Sequence, residues 1–458
     1  PEGRRLRMDL LRFVQEVNRV LWGYLLIFLL CGTGLFLTFK LRFVQIRLFG
    51  RAFRKAFGEL NLFGQRAGRE GMSSFQALAT AIAAQVGTGN LAGAATAIAM
   101  GGPGAIFWMY LAAFFGMATN LAEATLGQLY KTQDDRGNVT GGPAYYISQG
   151  LRMPRMAAFF SIAIIAALGF MGNMVQSNSI ADAFKTAFNV PPLVTGLALG
   201  AVGAFVFIGG IGRIAAVTEK MVPLMAGIYI LGSLYIIVTY IPQLPHVIWS
   251  ILLGAFDPMA ATGGVVGATI REAARYGIAR GLFSNEAGMG STPHAHAVAK
   301  VSHPAEQGLM GIVGVFIDTF VVLNMTAFAI LCTGVLDGKT TGIALTQRAF
   351  TAAMGPMGNA FVATCLLFFA FSTIVGWYFF GEANVKYLLG TRGLTPYKLA
   401  VVGFIILGST LKVDLAWELA DTFNGLMVLP NLLALIMLAP QVIKALKDFE
   451  TQDPNHRG

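Results

Sequence analysis

Long apolar segments, separated by short polar loops, follow one another along most of the chain. A helix needs about 20 predominantly apolar residues to cross a bilayer. Several segments exceed that length, so they must tilt, break or emerge from the membrane. The pattern predicts an all-α polytopic membrane protein with about eleven transmembrane helices, at residues 18–40, 73–100, 104–130, 156–186, 193–212, 219–241, 265–299, 306–335, 357–388, 397–412 and 421–446.

Two of these segments are interrupted in the same way. Residues 85–93 are QVGTGNLAG and residues 284–291 are SNEAGMGS, so glycines and polar side chains fall where the bilayer midplane should be. Each glycine costs about 1 kcal/mol in a helix, and irregular backbone at that depth persists only against protein or a cavity. The sequence therefore predicts two broken helices.

The breaks belong to an internal repeat with a period of about 200 residues. After each break comes a long apolar segment that contains an acid, Glu123 or Asp318, and then a short amphipathic piece, at 141–150 or 343–353. Five segments separate equivalent points, an odd number, so the two halves have opposite topology. We therefore expect one extra N-terminal helix and then an inverted five-helix repeat, with the substrate between the broken helices.

The domain boundaries follow from this repeat. We predict an N-terminal tail at 1–17, an extra transmembrane helix with a basic amphipathic cytoplasmic segment at 18–72, the first repeat at 73–241, a connector at 242–264, the second repeat at 265–446 and a C-terminal tail at 447–458. Within the basic segment, residues 47–60 have the pattern of an amphipathic helix on the inner membrane surface.

Composition excludes several other classes of protein. Apolar residues make up 55% of the chain and charged residues 12%, which is too little charge for the surface of a water-soluble protein of this size. The net charge of +10 is spread over the loops, so we expect no nucleic-acid partner. We find no nucleotide-binding motif, and the three cysteines have no metal-ligand spacing. We therefore expect neither a nucleotide nor a cofactor.

Lysine and arginine are distributed unevenly between the loops, which predicts the orientation. Cytoplasmic loops carry the excess of these residues. Residues 41–72 hold seven of them, and alternate loops on the same side are richer than the opposite loops. We predict that 41–72 and the C-terminus are cytoplasmic in the plasma (inner) membrane of a prokaryote. The arginine-rich N-terminus then lies outside, against the rule.

The first break, Gly87-Thr88-Gly89-Asn90, is the strongest candidate site. Unwinding exposes N–H groups, and the following half-helix directs the positive end of its dipole toward them. Such a cradle binds a substrate carboxylate without a cation, whereas an arginine costs roughly 3 kcal/mol at the bilayer centre. The alternative is close helix packing through small residues, but the second break favours the binding site.

Candidates for contact with the substrate ammonium lie at the second break. They are Phe283, Ser284, Asn285 and Gly288, where loosened carbonyls accept hydrogen bonds. Glu286 is either a structural acid that closes two half-helix ends or a coupling group. We favour the structural role, since an acid inside the membrane usually needs a fixed partner.

Residues on two other segments complete the predicted pocket. Phe170, Asn173 and Gln176 lie on the fourth segment and Trp377 on the ninth. A side-chain amide contacts the substrate carboxylate or amine, and aromatic rings limit the size of the pocket. For Phe170 and Trp377, packing in the core is an equal alternative.

Two groups near the second break are expected to lie outside the site. His294 and His296 are two residues apart and do not share a helix face, so we expect surface histidines and no metal site. Arg271, Arg275 and Arg280 are expected to extend toward the membrane surface and not to contact the substrate.

Several blocks carry a resemblance to a known family. They are GTGN, FGMATNLAEATLGQLY, GGPAYY, GNMVQSNS and SNEAGMGS. At these blocks, and over nearly its whole length, the chain resembles the alanine or glycine:cation symporter family. The resemblance implies the leucine-transporter-like fold and sodium-coupled, sometimes proton-coupled, uptake of small neutral amino acids. The expected partners are such an amino acid, sodium and the lipid bilayer.

The same resemblance implies a sodium site between the first break and the ninth segment. The stretch FFAFSTIVGW is similar to the part of the fold where two hydroxyl residues meet the loosened helix. The expected ligands are the carbonyls of Ala83 and Val86, a carbonyl near Ala370, and the hydroxyls of Ser372 and Thr373. The alternative is that the hydroxyls bond back to their own helix.

A second cation or coupling site is a further expectation. It would use Asp318 and Thr319 together with Asn90, and Glu286 is another possible coupling group.

A membrane-embedded enzyme and a channel are the remaining alternatives to a transporter. An enzyme would need a nucleophile–base pair or a metal cluster at depth, and the sequence offers none. Two broken helices in an inverted repeat favour alternating access over a channel. We therefore expect a secondary active symporter and no enzyme activity.

The predicted orientation is tested by labelling from outside. A cysteine introduced near Arg66 should not react with a membrane-impermeant thiol reagent added to intact cells, because the segment 41–72 is expected to face the cytoplasm. The same cysteine should react after the cells are opened. Ready labelling in intact cells would invert the topology.

Overall fold

The computed structural model describes residues 2–58, 67–257, 268–412 and 414–452, with side chains from residue 9 onward. Residues 59–66 of the predicted basic segment, which include Arg66, lie outside these residues. So do the end of the predicted connector and the last six residues of the predicted tail.

The extra helix and the first repeat are a series of helices joined by short turns and one small hairpin. The elements are α1 Glu2–Val20, α2 Leu26–Lys40, α3 Val44–Arg47, α4 Phe49–Gly58, α5 Ser74–Gln85, α6 Ala94–Gly101, α7 Gly104–Leu129, β1 Thr132–Gln133, β2 Val139–Thr140, α8 Pro143–Tyr145, α9 Pro154–Ile164, α10 Asn173–Phe188, α11 Pro192–Ile208 and α12 Gly210–Thr239. Wider π-helical turns are present at Leu21–Leu25, Gly89–Gly93, Tyr146–Gly150 and Ile165–Gly172.

The rest of the chain is also helical in the described residues. Its helices are α13 Leu244–Gly254, α14 Ile270–Asn285, α15 Pro293–Ala297, α16 Pro304–Phe316, α17 Asn324–Thr333, α18 Gly342–Met354, α19 Met357–Leu389, α20 Leu394–Thr410, α21 Asp414–Met437 and α22 Ala439–Thr451. A π-helical turn at Ile317–Leu323 joins α16 to α17, and 3-10 turns lie at Ile241–Gln243 and Gly390–Gly393.

Seven helical segments in the described part of the chain are long and apolar enough to cross a membrane. They are Asp9–Lys40, Gly104–Leu129, Pro154–Phe188, Gly210–Thr239, Pro304–Thr333, Met357–Thr410 and Asp414–Met437. The segment Met357–Thr410 covers two predicted spans, 357–388 and 397–412. The broken helices and the shorter α11 account for the other predicted spans, so the number eleven stays a prediction although each predicted segment contains helix.

The two halves of the repeat interleave in space. α7, from the first half, packs along α16 and α14 of the second half. α10 and α11, also from the first half, pack against α19 and α20 of the second. Each broken helix, α5–α6 or α14–α15, therefore lies in a framework to which both halves contribute.

The extra N-terminal helix packs on the last helix of the repeat. Asn18 Nδ2 donates to Glu418 Oε2 at 2.6 Å, and Trp22 Nε1 donates to the carbonyl of Asp421 at 2.9 Å. Residues 1–17, which the pattern assigned to a tail, are helical from Glu2 onward and continue into the extra helix. The predicted connector also contains an unforeseen helix, α13.

The predicted amphipathic helix at 47–60 is present as α4, and it packs on protein as well as presenting a basic face. Ala52 is fully buried, and the Phe49 ring contacts Phe316 at 4.8 Å between centroids. Lys55 Nζ lies 3.0 Å from Glu306 Oε2. α4 therefore anchors the segment after the extra helix to α16.

Candidate functional site

The first break begins where a side chain replaces a helical hydrogen bond. α5 ends at Gln85, and Val86 has an extended backbone with ψ 93°. The N–H of Gly87 donates to Asn90 Oδ1 at 2.9 Å and not to the carbonyl of Ala83. An N–H in a regular helix would bond to the carbonyl four residues earlier. The carbonyl of Ala83 is therefore released from the helix.

The released N–H groups at this break form a cradle. Within the described residues, neither Thr88 nor Gly89 has an acceptor for its N–H. These N–H groups lie at the start of the half-helix that continues through α6, so its dipole adds positive potential there. The N–H of Gly87, by contrast, donates to Asn90 Oδ1. The predicted carboxylate cradle therefore narrows to Thr88 and Gly89, and the other two residues hold its shape.

The second break is built by two diverted N–H groups. The N–H of Ala287 donates to Asn285 Oδ1 at 3.1 Å, and the N–H of Gly288 donates to Glu123 Oε2 at 2.9 Å. In an unbroken helix these groups would bond to the carbonyls of Phe283 and Ser284. Those two carbonyls are thereby released as acceptors, as predicted for a site that receives an ammonium group.

The two breaks are in direct contact. A Cβ on Gly89 would lie 3.1 Å from Ser284 Cα, which leaves no space for a side chain without displacement. Gln85 Nε2 donates to the carbonyl of Asn285 at 2.7 Å. Gly89 of the first broken helix therefore lies against Ser284 of the second.

A buried carboxylate connects both breaks to the next helix. Asp318 Oδ1 accepts from Asn90 Nδ2 at 2.6 Å and from Ser284 Oγ at 3.0 Å. Its Oδ2 accepts from Thr319 Oγ1 at 3.0 Å, and that hydroxyl also accepts from Asn285 Nδ2 at 3.2 Å. The structure thus brings together all the residues predicted for a second cation site except Glu286.

Glu123 fixes the second break from the opposite side. Besides the bond from Gly288, its carboxylate accepts from the N–H of Gly290 at 2.8 Å and from Asn431 Nδ2 at 2.7 Å. The carbonyl of Gly288 accepts a hydrogen bond from Asn431 Nδ2, and the φ of +85° at this residue requires glycine. Gly288 is therefore a structural residue, and its predicted contact with the substrate is corrected.

Sequence reasoning found Glu123 only as an acid in a repeated position and missed Asn431. The signal available for Glu123 was a lone carboxylate in an apolar segment. Asn431 lies in the last span of the repeat and has no neighbouring motif, so only the fold shows its connection to the break.

The hydrogen bonds of Glu286 fit the structural role that the sequence favoured. Trp377 Nε1 donates to its Oε1 at 2.6 Å, and the hydroxyl of Ser291 donates to its Oε2. Its φ of +57° places it at the turn that ends α14. The bond orients the Trp377 ring, against which a Cβ on Gly172 would lie at 2.6 Å. Glu286 therefore ties the second break to α19.

The other pocket candidates divide into two groups. Gln176 Nε2 donates to Thr88 Oγ1 at 3.2 Å, and its Oε1 is buried without a hydrogen-bond partner among the described residues. Asn173 Nδ2 donates within its own helix to Gly169, and its Oδ1 likewise lacks a described partner. Gln176 is thus connected to the first break, whereas no described contact connects Asn173 to it.

The ring of Phe170 packs on α20. It stacks on Phe404 at 4.8 Å and contacts Tyr397 at 5.8 Å, both on that helix. These contacts favour the alternative of core packing for Phe170. Phe283, in contrast, lines a cavity that also borders Thr88 and Gly89.

Hydroxyls of α19 meet the released carbonyls of α5. Ser372 Oγ and Thr373 Oγ1 each lie 3.1 Å from the carbonyl oxygen of Ala83, and Thr373 Oγ1 lies 3.4 Å from that of Val86. Both hydroxyls also lie near the carbonyl of Phe369, at 2.8 and 3.1 Å.

This oxygen cluster identifies one carbonyl of α19 and explains one glycine. The carbonyl that both hydroxyls approach belongs to Phe369, three residues before Ser372 and four before Thr373. It is adjacent to Ala370, near which the third carbonyl was predicted. A Cβ on Gly87 would lie 2.3 Å from Thr373 Oγ1. The cluster therefore also requires glycine at position 87.

The predicted surface histidines are buried, which corrects their assignment. His294 Nδ1 lies 2.6 Å from the carbonyl of Ser291, and its Nε2 lies 2.8 Å from Asn384 Nδ2. Its ring stacks between Phe160 and Phe380. His294 therefore joins the half-helix after the second break to α19.

The other histidine has a similar structural role. His296 is fully buried, and its Nδ1 lies 2.7 Å from Gln307 Oε1. Alternating polar positions in the sequence gave no indication that α15 is enclosed by α5, α7 and α19.

Ionic contacts close the face that is predicted to be cytoplasmic. Lys386 Nζ lies 3.5 Å from Asp134 Oδ2 and 3.0 Å from Glu382 Oε1. Burial alone would raise the pKa of Asp134, but hydrogen bonds from Asn138 and Arg136 and the charge of Lys386 lower it below its ordinary value. Asp134 is therefore a stable anion in the loop next to α19.

Comparisons with known proteins agree with this geometry. The sodium:alanine symporter family matches residues 8–457. The chain belongs to this family. It is 43% identical to the sodium/alanine symporter AgcS of Methanococcus maripaludis, over 96% of this chain and 98% of the relative. It is 42% identical to the probable sodium/glutamine symporter GlnT of Bacillus subtilis, over 95% of this chain and 90% of the relative.

The fold also matches a solved transporter structure. The crystal structure of MhsT in complex with L-phenylalanine has a TM-score of 0.56 to this chain at 15% identity, covering 83% of this chain and 98% of that one. Together with the family, this likeness confirms the leucine-transporter-like fold. This member of the family is thus a multi-pass plasma-membrane transporter and not an enzyme.

The role of Glu123 in this symporter is tested by Glu123→Gln. The amide can accept at one position but places a donor against a backbone N–H or Asn431, so a buried polar group is left unpaired at a cost of about 1–3 kcal/mol. We expect a lower thermal unfolding temperature and weaker alanine binding. Glu70→Gln, at an exposed ion pair, is the control and should change neither. Unchanged stability in Glu123→Gln would contradict the assignment.

Proposed function

We propose that this protein imports small neutral amino acids, alanine and glycine, together with sodium by alternating access. The observation that carries the proposal is the contact between the two breaks. Gly89, whose N–H is unpaired, lies against Ser284, whose carbonyl is released, and Thr88, Gly89 and Phe283 line one cavity. This arrangement offers donors to a carboxylate and acceptors to an ammonium group within one small space.

The dimensions and polarity of the site favour a small zwitterion. The substrate carboxylate would be held by backbone dipoles and needs no arginine, whose burial at the midplane is costly. Gly89 and Ser284 are too close to admit a bulky group between them. The named relatives are described as transporters of alanine and of glutamine, which supports an amino acid as the substrate class.

Sodium is proposed to bind among the oxygens of Ala83, Val86, Phe369, Ser372 and Thr373. Hard cations prefer oxygen ligands, and these five oxygens come from the first break and α19. Each hydroxyl can turn its proton away and present a lone pair to the ion. Because the carbonyls of Ala83 and Val86 are released by the same break that forms the carboxylate cradle, sodium and substrate would stabilise the same backbone conformation.

Such shared stabilisation is a physical basis for coupling. If each ligand favours the same conformation of the break, then each raises the affinity for the other by the same factor. The proposed motion is a rocking of residues 73–130 and 265–335 against residues 156–212 and 357–412. The Glu286–Trp377 and His294–Asn384 hydrogen bonds cross between these two groups and would have to adjust during it.

Counterflow tests the proposed activity. Proteoliposomes loaded with unlabelled alanine should accumulate labelled alanine when sodium is present, and Gly89→Val should abolish this exchange because its side chain would enter the space beside Ser284. Gly403→Val is the control, since a Cβ at that position meets nothing within 4 Å. Normal exchange by Gly89→Val would place the carboxylate elsewhere, and exchange driven by protons without sodium would favour a proton-coupled transporter.

The sodium site is tested by Ser372→Ala combined with Thr373→Ala. Loss of two of five oxygens should raise the sodium concentration for half-maximal uptake at least tenfold, which corresponds to about 1.4 kcal/mol. Alanine exchange should partly recover at high sodium. Ser409→Ala, which removes a hydroxyl bonded within α20, is the matched control. An unchanged sodium dependence in a folded double variant would remove this site.

A further inference from the structure

A cavity leads from the first break toward the face predicted to be extracellular. Its volume is about 260 Å³, and Thr88 and Gly89 form its inner end. Its walls come from α6, α10, α14, α18, α19 and α21, and they include polar side chains from both halves of the repeat. The cavity is thus the route by which a solute would reach the break from that face.

Two opposite charges line this cavity. Among the described lining residues, Asp182 on α10 and Arg280 on α14 are the charged ones. Within the described part of the chain, neither makes a hydrogen bond or a close ion pair, although the charge of Arg280 interacts at longer range with Asp421. Arg280 was expected to extend to the membrane surface, but it borders the cavity instead. Charges that line a cavity leading into a membrane protein usually serve the path of a solute or ion.

Their positions place them just outside the central site. Arg280 lies one helical turn before Ser284, and Asp182 lies six residues after Gln176, which corresponds to about 6 and 9 Å along the helix axes. The two charged groups do not pair with each other, so a space separates them. An α-amino acid carries its ammonium and carboxylate on adjacent atoms and can contact both groups at once.

We propose that Asp182 and Arg280 form an outer waiting site for the zwitterionic substrate, with Asp182 receiving the ammonium and Arg280 the carboxylate. The inference rests on the proposed amino-acid substrate. A carboxylate accepts ammonium hydrogen bonds, and a guanidinium matches a carboxylate through two parallel N–H bonds. A molecule with only one of these charges would pair with only one of the two side chains.

A neighbouring acid explains why the site would bind weakly and release its ligand inward. Arg280 also borders a smaller cavity that contains Asp421 and Trp22. Its guanidinium can therefore move toward Asp421 when the substrate leaves for the central site. The outer site would then raise the local concentration of substrate at the break without trapping it.

Uptake kinetics test this site. Asp182→Asn and Arg280→Gln should each raise the KM for alanine about three- to tenfold, through a slower approach to the break, with Vmax nearly unchanged. The KM of the wild-type protein for alanine should also rise at high ionic strength, because salt screens charges that water can reach. Arg280→Lys keeps the charge and should stay close to wild type.

Two matched controls lie on the same helices outside the cavity. Arg271→Gln removes a guanidinium that lies over Tyr24, and Lys185→Gln removes an exposed charge near Asp182. Both should keep the wild-type KM. A fall in Vmax without a change in KM, or an equal effect in the controls, would overturn the proposal.

Direct binding separates this proposal from the central site. Gly89→Val should block the inner site, yet saturation-transfer NMR should still detect alanine binding to it, and the added Asp182→Asn should remove that signal. Propionate and ethylamine, which each lack one charge, should compete poorly. No residual signal in Gly89→Val would reject the outer site while wild-type exchange upholds the proposed function. Absence of both alanine binding and exchange in the wild type would instead reject the proposed function.

Discussion

A helix that stops inside a bilayer releases backbone N–H and C=O groups where no water can receive them, and each must find another partner. In this protein three side chains meet part of that requirement: Asn90 at the first break, and Asn285 and Glu123 at the second. Because these side chains accept selected N–H groups, two N–H groups at the first break and two carbonyls at the second are left without helical partners. The binding chemistry is therefore a consequence of incomplete repair of two broken helices.

The contacts around the breaks connect them to every part of the framework. Asp318 joins both breaks to the helix after the second one, while Glu286 and His294 join the second break to α19. Burial makes these bonds strong and makes the loss of one partner expensive. A rigid-body movement of one group of helices must exchange such bonds in discrete steps, which suits alternation between two conformations.

The sequence predicted the architecture well because membrane insertion imposes simple rules. Apolar length gave the spans, glycines at the midplane gave the breaks, and their spacing gave the inverted repeat. The family blocks then led to Ser372 and Thr373, which the structure places against the carbonyl of Ala83. The third carbonyl was predicted near Ala370, and the structure has it at Phe369. Sequence similarity gives a region, and only helix geometry gives the atom.

The breaks and the membrane-spanning helical architecture were thus predicted from the sequence alone, because they depend on local composition and spacing, and the family was predicted from its resemblance at five sequence blocks. Tertiary structure decided which groups face one another. In the folded protein, Phe170 packs against α20 and His294 is buried. The N–H of Gly288 donates to Glu123, and Arg280 lines a cavity. In a chain that is apolar on nearly every helix face, hydrophobic periodicity does not distinguish a face toward lipid from one toward protein or a cavity. The packing of helices distant in sequence supplies that information.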